Sequence, residues 1–522
     1  MTTAATLLRR FLSRPGRDLA VLDRRGGAWS FDDVLGHAAD LAGRIRSRGT
    51  VRGRVVVLRT GPDVLFSVAD LAVLLAGGVP AVLPDLAPAQ MRAVWAATDP
   101  AAVVDTLAEP DAALADLAVE HATPLHRVGV GEFPRGTPDG RRASALRQAG
   151  ERDARAAAVV FTSGTTGSPR ALVLDDAALV RGVDAWTGHW RGRPARTVSY
   201  LPVSHVAQRI MGHTLMCLYG TTIVASSPAR LAADVAAHRP DTLLGVPHLW
   251  ADLAARAAGD GDDGRALRDA LAAVATAVNG AAALDPAVAG QLRRSAGLRV
   301  ASAYGATETT VPAFHQPDAT RPGLGAPVEV EHRVAADGEL LLRGRNLATG
   351  SVRRWPELDP IADDEGWWHT GDLVEAADGP RSGRGAALRL RGRRGAAFKT
   401  ARGDMISPEP AEAHLLAQPD VAAACLVGHG RPSAVALVSA PASASWRPGE
   451  VAAREQRLLV GAEAARHAGQ LPWSDLSAVR IVPDSWTELG LLTSTGKPRR
   501  RAIADHYRPL LDLLPEADRA HA

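Results

Sequence analysis

From about residue 31 to residue 246 the chain repeatedly sets a helical pattern beside a short apolar run, and that rhythm leaves few architectures open. Residues 32–46 place apolar side chains at helical spacing. Residues 54–58, 80–83, 156–162, 197–201, 221–225 and 242–246 are short apolar runs that lead into loops containing Gly, Ser or Pro. Such runs read as buried strands, and their alternation with helices predicts a parallel α/β layer. Ligand sites in sheets of this kind lie at the carboxyl ends of the strands. After about residue 328 the runs become shorter and more strand-like, as at 338–343 and 387–391. From 394 onward they suggest a compact α+β segment, with strands at 421–427 and 434–438 and a helix at 450–468. A chain of 522 residues exceeds what one hydrophobic core usually supports. The expectation is therefore an α/β protein with a large N-terminal domain of layered subdomains, 1–393, and a small α+β domain, 394–522. No internal repeat is present, and the acidic stretch 259–264 reads as a surface loop.

Charge and cysteine content exclude several functions. The pI is about 9.2, yet 60 Lys plus Arg against 57 Asp plus Glu leave a net charge of only +3. Few groups titrate between histidine and arginine, so the pI rises with little charge behind it. The basic residues are dispersed, and no nucleic-acid partner is expected. Cys217 and Cys425 lie far apart without zinc-ligand spacing, which argues against a metal centre of that type and against a disulfide framework. Asp70, Gly77, Gly78 and Pro80 interrupt the longest apolar stretch, residues 64–83, so it reads as buried helix and strand and not as an integral membrane segment. With Arg9 and Arg10 close to the N-terminus and no apolar signal core, the expected location is the cytoplasm.

The strongest local signal is Phe161-Thr162-Ser163-Gly164-Thr165-Thr166-Gly167-Ser168-Pro169-Arg170, directly after an apolar run. Glycine turns let backbone N–H groups approach an anion, hydroxyls add donors, and Arg170 adds fixed positive charge. It is not a Walker A loop, which needs GxxxxGK[ST]. Taken alone it would be an ordinary surface loop. Four further segments follow in order: Tyr304-Gly305-Ala306-Thr307-Glu308, Thr370-Gly371-Asp372, Gly392-Arg393 and Thr493-Ser494-Thr495-Gly496-Lys497. Together they resemble the signatures of the adenylate-forming superfamily, which unites acyl-CoA synthetases, peptide-synthetase adenylation domains and luciferases. The segment 201–209 (LPVSHVAQR) and the segment 245–250 (GVPHLW) are similar to those of the long-chain fatty acyl-CoA synthetase branch.

The resemblance implies roles residue by residue. Thr162, Ser163, Gly164, Thr165, Thr166, Gly167 and Arg170 would cradle the phosphates of ATP. Thr307 would contact the α-phosphate, and Glu308 with Thr165 would hold Mg²⁺, a hard cation suited to oxygen ligands. Asp372 would take the ribose hydroxyls, with Arg393 beside it, and Tyr304, Gly305, Ala306, Gly280, Ala281 and Ala282 would complete the nucleotide site. His205, Val246, Ala281 and Ala303 would face the acyl group. Lys497 would be the catalytic lysine. A mobile C-terminal domain would pivot near Gly395, and Lys399 and Gly403 would then border the path of CoA.

The two lysines of this chain, Lys399 and Lys497, both fall within those motifs, although 58 other basic residues are arginines. A compact ammonium fits where a planar guanidinium does not, which gives a physical reason for retaining Lys497. The chain departs from the pattern at Arg170-Ala171, where the family has Lys-Gly, at Gln208 and His248, which replace Glu and Arg, and at Gly395, which replaces a hinge Asp or Lys. The expected activity is AMP-forming ligation of a hydrophobic carboxylic acid to CoA with ATP. Rival readings are an acyl-AMP ligase that loads an acyl carrier protein, a half-enzyme that uses preformed acyl-AMP, and a non-catalytic binding protein. Only 25 residues follow Lys497, too few for a carrier domain. Ser204-His205 does not indicate a hydrolase, because no GxSxG elbow is present.

Overall fold

The computed structural model describes residues 6–129, 156–162, 169–376, 388–394, 398–401, 405–406, 408–418, 420–429, 431, 433–467, 476–493 and 496–514. Two large sheets dominate. One has eight strands in the order Glu357–Asp359, Gly350–Arg354, Arg170–Asp175, Ala156–Thr162, Val79–Val82, Val55–Arg59, Ala102–Asp105, Leu125–Arg127. The other has nine: Ala326–Pro327, Phe314–Gln316, Val300–Tyr304, Thr276–Asn279, Thr242–Gly245, Arg196–Ser199, Thr222–Ala225, Leu19–Leu22, Ala28–Ser30.

Strand alternation explains how they stack. Val56 and Leu58 point to one face of the eight-stranded sheet and Val55 and Val57 to the other. Val56 and Leu58 share a core with Val21, Ile223 and Val278 of the nine-stranded sheet and with the helices Phe31–Ser47 and Val64–Leu75 between them. Val55 and Val57 pack instead on Met91, Val94 and Trp95 of the helix Pro88–Thr98. The far face of the nine-stranded sheet is covered by Trp250, Leu253 and Leu267 of the helices Pro247–Ala257 and Asp262–Ala272. The layers therefore run helix, sheet, helix, sheet, helix. The helix Val64–Leu75 is buried at all of its 12 positions, as its place in the middle layer requires.

The parallel layer expected from the sequence is thus two sheets, and each carries antiparallel members. Ala156–Thr162 pairs antiparallel with Arg170–Asp175, and Val300–Tyr304 with Phe314–Gln316. Apolar runs are alike in either direction, and only long-range pairing decides between them. The stretch 259–264 is a loop only in part: Asp262 and Asp263 open the helix Asp262–Ala272, where carboxylates favour the positive end of the helix dipole. Residues 64–83 form the helix Val64–Leu75 and the strand Val79–Val82. Among the described residues no helix is long and apolar enough to cross a membrane.

Beyond residue 328 a four-stranded antiparallel sheet forms from Val330–Val334, Glu339–Gly344, Trp368–Ala376 and Leu388–Arg393. A three-stranded sheet follows, Ala423–Val427, Ala434–Ser439 and Leu476–Val482, where strands were expected at 421–427 and 434–438. Its two faces pack on the helices Glu409–Leu416 and Pro448–His467 and on Arg500–His506.

The turn after Thr242–Gly245 is tight. A methyl group at Gly245 would overlap the indole of Trp250, which is wholly buried. Gly245→Ala should therefore cost about 1–3 kcal/mol of stability through overpacking. Urea unfolding of the variant checks this.

Candidate active site

Four neighbouring parallel strands of the nine-stranded sheet deliver most of the candidate residues that the structure describes. Arg196–Ser199 leads to His205, Thr242–Gly245 to Val246, and Thr276–Asn279 to Gly280, Ala281 and Ala282. Val300–Tyr304 leads to Ala306, Thr307 and Glu308. Gly245 pairs with Asn279, and Asn279 with Ser302, so these loops leave the sheet side by side, about 4.8 Å apart per strand. Ala281 adopts φ +68°, a left-handed backbone held by Asn279 Nδ2 donating to the Ala282 carbonyl at 2.8 Å. Strain of this kind, about 1–3 kcal/mol, persists where surrounding contacts over-determine the turn. Gly305 is required for close approach, since a Cβ there would lie 3.0 Å from Pro312 Cα.

The four-stranded sheet supplies the next group. Asp372, buried, pairs across strands with Arg393. Its Oδ1 accepts from Arg393 Nε at 2.9 Å and its Oδ2 from the Tyr304 hydroxyl at 2.6 Å. Each oxygen keeps a second lone pair for a hydroxyl donor. Burial first, and then Asp372, raise the Tyr304 pKa well above its ordinary value, so Tyr304 remains a donor.

Lys497 comes from the C-terminal part. It sits in a tight hairpin closed by Thr493 N–H on the Lys497 carbonyl at 2.8 Å and by Lys497 N–H on Thr493 Oγ1 at 3.0 Å, with Gly496 at φ +75°. The side chain is open to water and forms no hydrogen bond among the described residues. Surrounding protein still lowers its pKa, through desolvation first and then through Arg393, while Asp372 and Glu409 oppose the shift. Burial and then Lys497 hold the His205 pKa below the ordinary value, and its buried Nε2 has no partner among the described residues. The Glu409 pKa is raised chiefly by burial, and its Oε2 has no hydrogen-bond partner among the described residues.

Glu308 is half-buried, and its carboxylate has no hydrogen bond or ion pair among the described residues. Its carbonyl accepts from Ala348 N–H at 2.7 Å, which fixes the turn Thr307–Thr309. A carboxylate left open in this way suits a divalent cation that also binds substrate phosphates. Thr162 and Arg170 are cross-strand partners, so they frame the phosphate segment. Ser163, Gly164, Thr165, Thr166 and Gly167 lie outside the described residues, as do Gly395 and Gly403. Lys399 pairs with Met405 in a two-stranded ribbon.

The sequence marked Gln208 only as a departure from the family pattern and did not single out Glu339. Gln208 accepts from Leu201 N–H at 3.2 Å and donates to Ser199 Oγ at 3.0 Å, which fixes the loop before His205. Buried Glu339 accepts from Gly371 N–H at 2.8 Å and pairs with Arg394, which also binds Asp337. The only signal for Glu339 was an acidic residue opening an apolar run.

Because the chain has only two lysines, reductive methylation with a carbon-13 label gives two side-chain signals to titrate. The Lys497 signal should titrate below about 10.4, the ordinary lysine value. Arg393→Met should raise it and Asp372→Asn should lower it further. A Lys497 signal that ignores both substitutions would contradict the geometry.

The AMP-binding enzyme family model matches residues 8–351. The chain is 27% identical to the long-chain-fatty-acid–CoA ligase FadD15 of Mycobacterium bovis, over 92% of each chain. Its fold matches ATP-bound MatB from Rhodopseudomonas palustris with TM-score 0.74 at 20% identity, covering 97% of this chain and 100% of that one. It also matches the A-PCP didomain of carboxylic acid reductase from Segniliparus rugosus in complex with AMP, with TM-score 0.76 at 19% identity, covering 98% and 82%. With the family match spanning the strand ends that carry Val246, Gly280 and Tyr304 to Glu308, the chain belongs to the AMP-binding, adenylate-forming enzymes and is an ATP-dependent, AMP-forming ligase.

Proposed function

We propose that the protein activates a hydrophobic carboxylic acid as its acyl-adenylate and transfers the acyl group to CoA. The observation that carries this reading is Asp372 accepting from both Tyr304 and Arg393, with Lys497 near enough for its charge to act on Asp372, Arg393 and His205. In the first half-reaction a carboxylate oxygen of the acid attacks the α-phosphorus of ATP. The bond to the bridging oxygen breaks, and pyrophosphate leaves. Negative charge accumulates on the α-phosphoryl oxygens, and an ammonium already in place stabilises it without reorganisation. Asp372 receives the ribose hydroxyls on its free lone pairs, and Gly280, Ala281 and Ala282 border the adenine. Bound Mg²⁺, held by Glu308 with Thr165, would neutralise charge on the triphosphate.

In the second half-reaction the CoA thiol attacks the acyl carbonyl, loses its proton, and AMP departs. This step needs another face of the C-terminal part turned toward the adenylate. The proposed division is 1–393 and 394–522; Arg394 is tied to Asp337 and Glu339 of the first part, and the pivot would begin just after it, at Gly395. Gly403, four positions after Lys399 in sequence, would give the pantetheine room to pass. The activity is proposed to reside in the cytoplasm. Likeness to a carrier-protein didomain favours a second reading, in which a carrier thiol replaces CoA.

The test is mass spectrometry after incubation with Mg-ATP and fatty, aryl and polycyclic acids, with and without CoA. Acyl-AMP without CoA and acyl-CoA with it are expected. Adenylate that persists with CoA points to a carrier acceptor, and adenylate from no acid sinks the proposal. Lys497→Ala should slow adenylate formation about 10²–10³-fold while leaving thioester formation from supplied acyl-AMP largely intact. Glu308→Gln should raise the Mg-ATP concentration needed for half-maximal rate.

A further inference from the structure

The middle helix layer hides a charge cluster that neither half-reaction uses. Asp70, fully buried in the helix Val64–Leu75, whose one other polar side chain is Ser67, lies with Oδ1 2.7 Å from Arg209 Nη2 and Oδ2 2.9 Å from His213 Nε2. Arg209 and His213 are each 1% exposed. His213 Nδ1 is 3.3 Å from Ser67 Oγ, and the Phe66 ring contacts both the guanidinium, at 5.7 Å, and the imidazole, at 5.2 Å. The Asp70–Arg209 contact is a close ion pair without hydrogen-bond geometry: none of the three guanidinium nitrogens and neither Asp70 oxygen completes a hydrogen bond among the described residues.

A buried ion pair with unsatisfied donors is poorly explained as a source of stability, because apolar groups of similar volume usually serve as well or better. What such a pair supplies is direction. Arg209 closes the short helix Val206–Arg209, and the next turn, Ile210–Thr214, is π-helical. An extra residue in a turn makes helix rotation easy to mis-set, and a slip of one residue turns the helix by about 100°. His205 caps that helix, and Arg209 N–H donates to the His205 carbonyl at 3.0 Å. The His205 imidazole is buried and feels the charge of Lys497.

We propose that Asp70, Arg209 and His213 are positioning residues, a buried peg that fixes the rotation of helix Val206–Arg209 and so holds His205, at its N-terminal cap, in place for acid activation. This rests on the reading given under Proposed function, and the two can fail separately. The decisive variant replaces the whole cluster with apolar groups, Asp70→Leu with Arg209→Met and His213→Leu, so that no lone charge is left buried. It should melt at or above the wild-type temperature. Hydrogen exchange in the peptide 200–209 should nevertheless quicken by about fivefold or more, while 64–75 stays protected. For the acid that the wild type activates best, KM should rise about tenfold, with KM for ATP unchanged.

Wild-type exchange at 200–209 in the triple variant would overturn the proposal, as would an unchanged KM for the acid. If the triple variant is insoluble, Arg209→Lys decides by the same measurements, since it keeps the charge and loses the planar fork. Faster exchange at 200–209 supports the peg and wild-type exchange overturns it. If the wild type adenylates no acid, the functional reading falls and the exchange measurement alone judges the peg.

Discussion

One buried carboxylate joins the parts of this molecule that must act together. Asp372 stands on the four-stranded sheet, receives a hydroxyl from Tyr304 of the nine-stranded sheet and a guanidinium from Arg393 of its own, and feels the ammonium of Lys497. Charge buried without partners costs several kcal/mol, so the arrangement of these groups is constrained together. The constraint also fixes the sign of the cleft. Two cations, Arg393 and Lys497, converge on Asp372, with Glu409 near Lys497 shifted toward its neutral form by burial. The field favours a polyanion, the form in which a nucleotide triphosphate arrives.

Local chemistry in this chain was legible, and long-range pairing was not. The apolar runs at 156–162, 242–246 and 434–438 are strands at nearly those bounds, because buried strands between turn residues signal themselves locally. Their assignment to two sheets was hidden, since Val56 and Val57 look alike in sequence while facing opposite layers. The strands Gly350–Arg354 and Glu357–Asp359 return to the eight-stranded sheet after the chain has begun the four-stranded one, and nothing local announces that return. Tyr304, Asp372 and Arg393, up to 89 positions apart, are joined by hydrogen bonds, and the charges of Arg393 and Asp372 reach Lys497. Asp70 was visible only as a break in an apolar stretch. Read instead as a charge at a helix position buried on every side, it demands a partner, but the sequence does not say that the partner is Arg209.

The scarcity of lysine gains meaning from the geometry. Arg500 and Lys497 stand three residues apart on the same C-terminal segment and are treated in opposite ways. The Arg500 guanidinium is fixed by Glu412 on two nitrogens and by the Leu426 carbonyl, which anchors the helix Arg500–His506 to the three-stranded sheet. A planar fork with five donors suits that task, because each bond it makes fixes orientation as well as distance. Lys497 is held by its backbone alone, through Thr493 and Gly496, and its ammonium is left unbonded at the end of four methylenes. An arginine in that hairpin would bring a wide, flat cation with donors seeking carboxylates, and Asp372 and Glu409 stand nearby to capture it. The ammonium can be drawn toward both carboxylates and still be committed to neither. A group that must meet a charge developing during reaction has to be close and uncommitted beforehand, which is the condition the Lys497 hairpin meets.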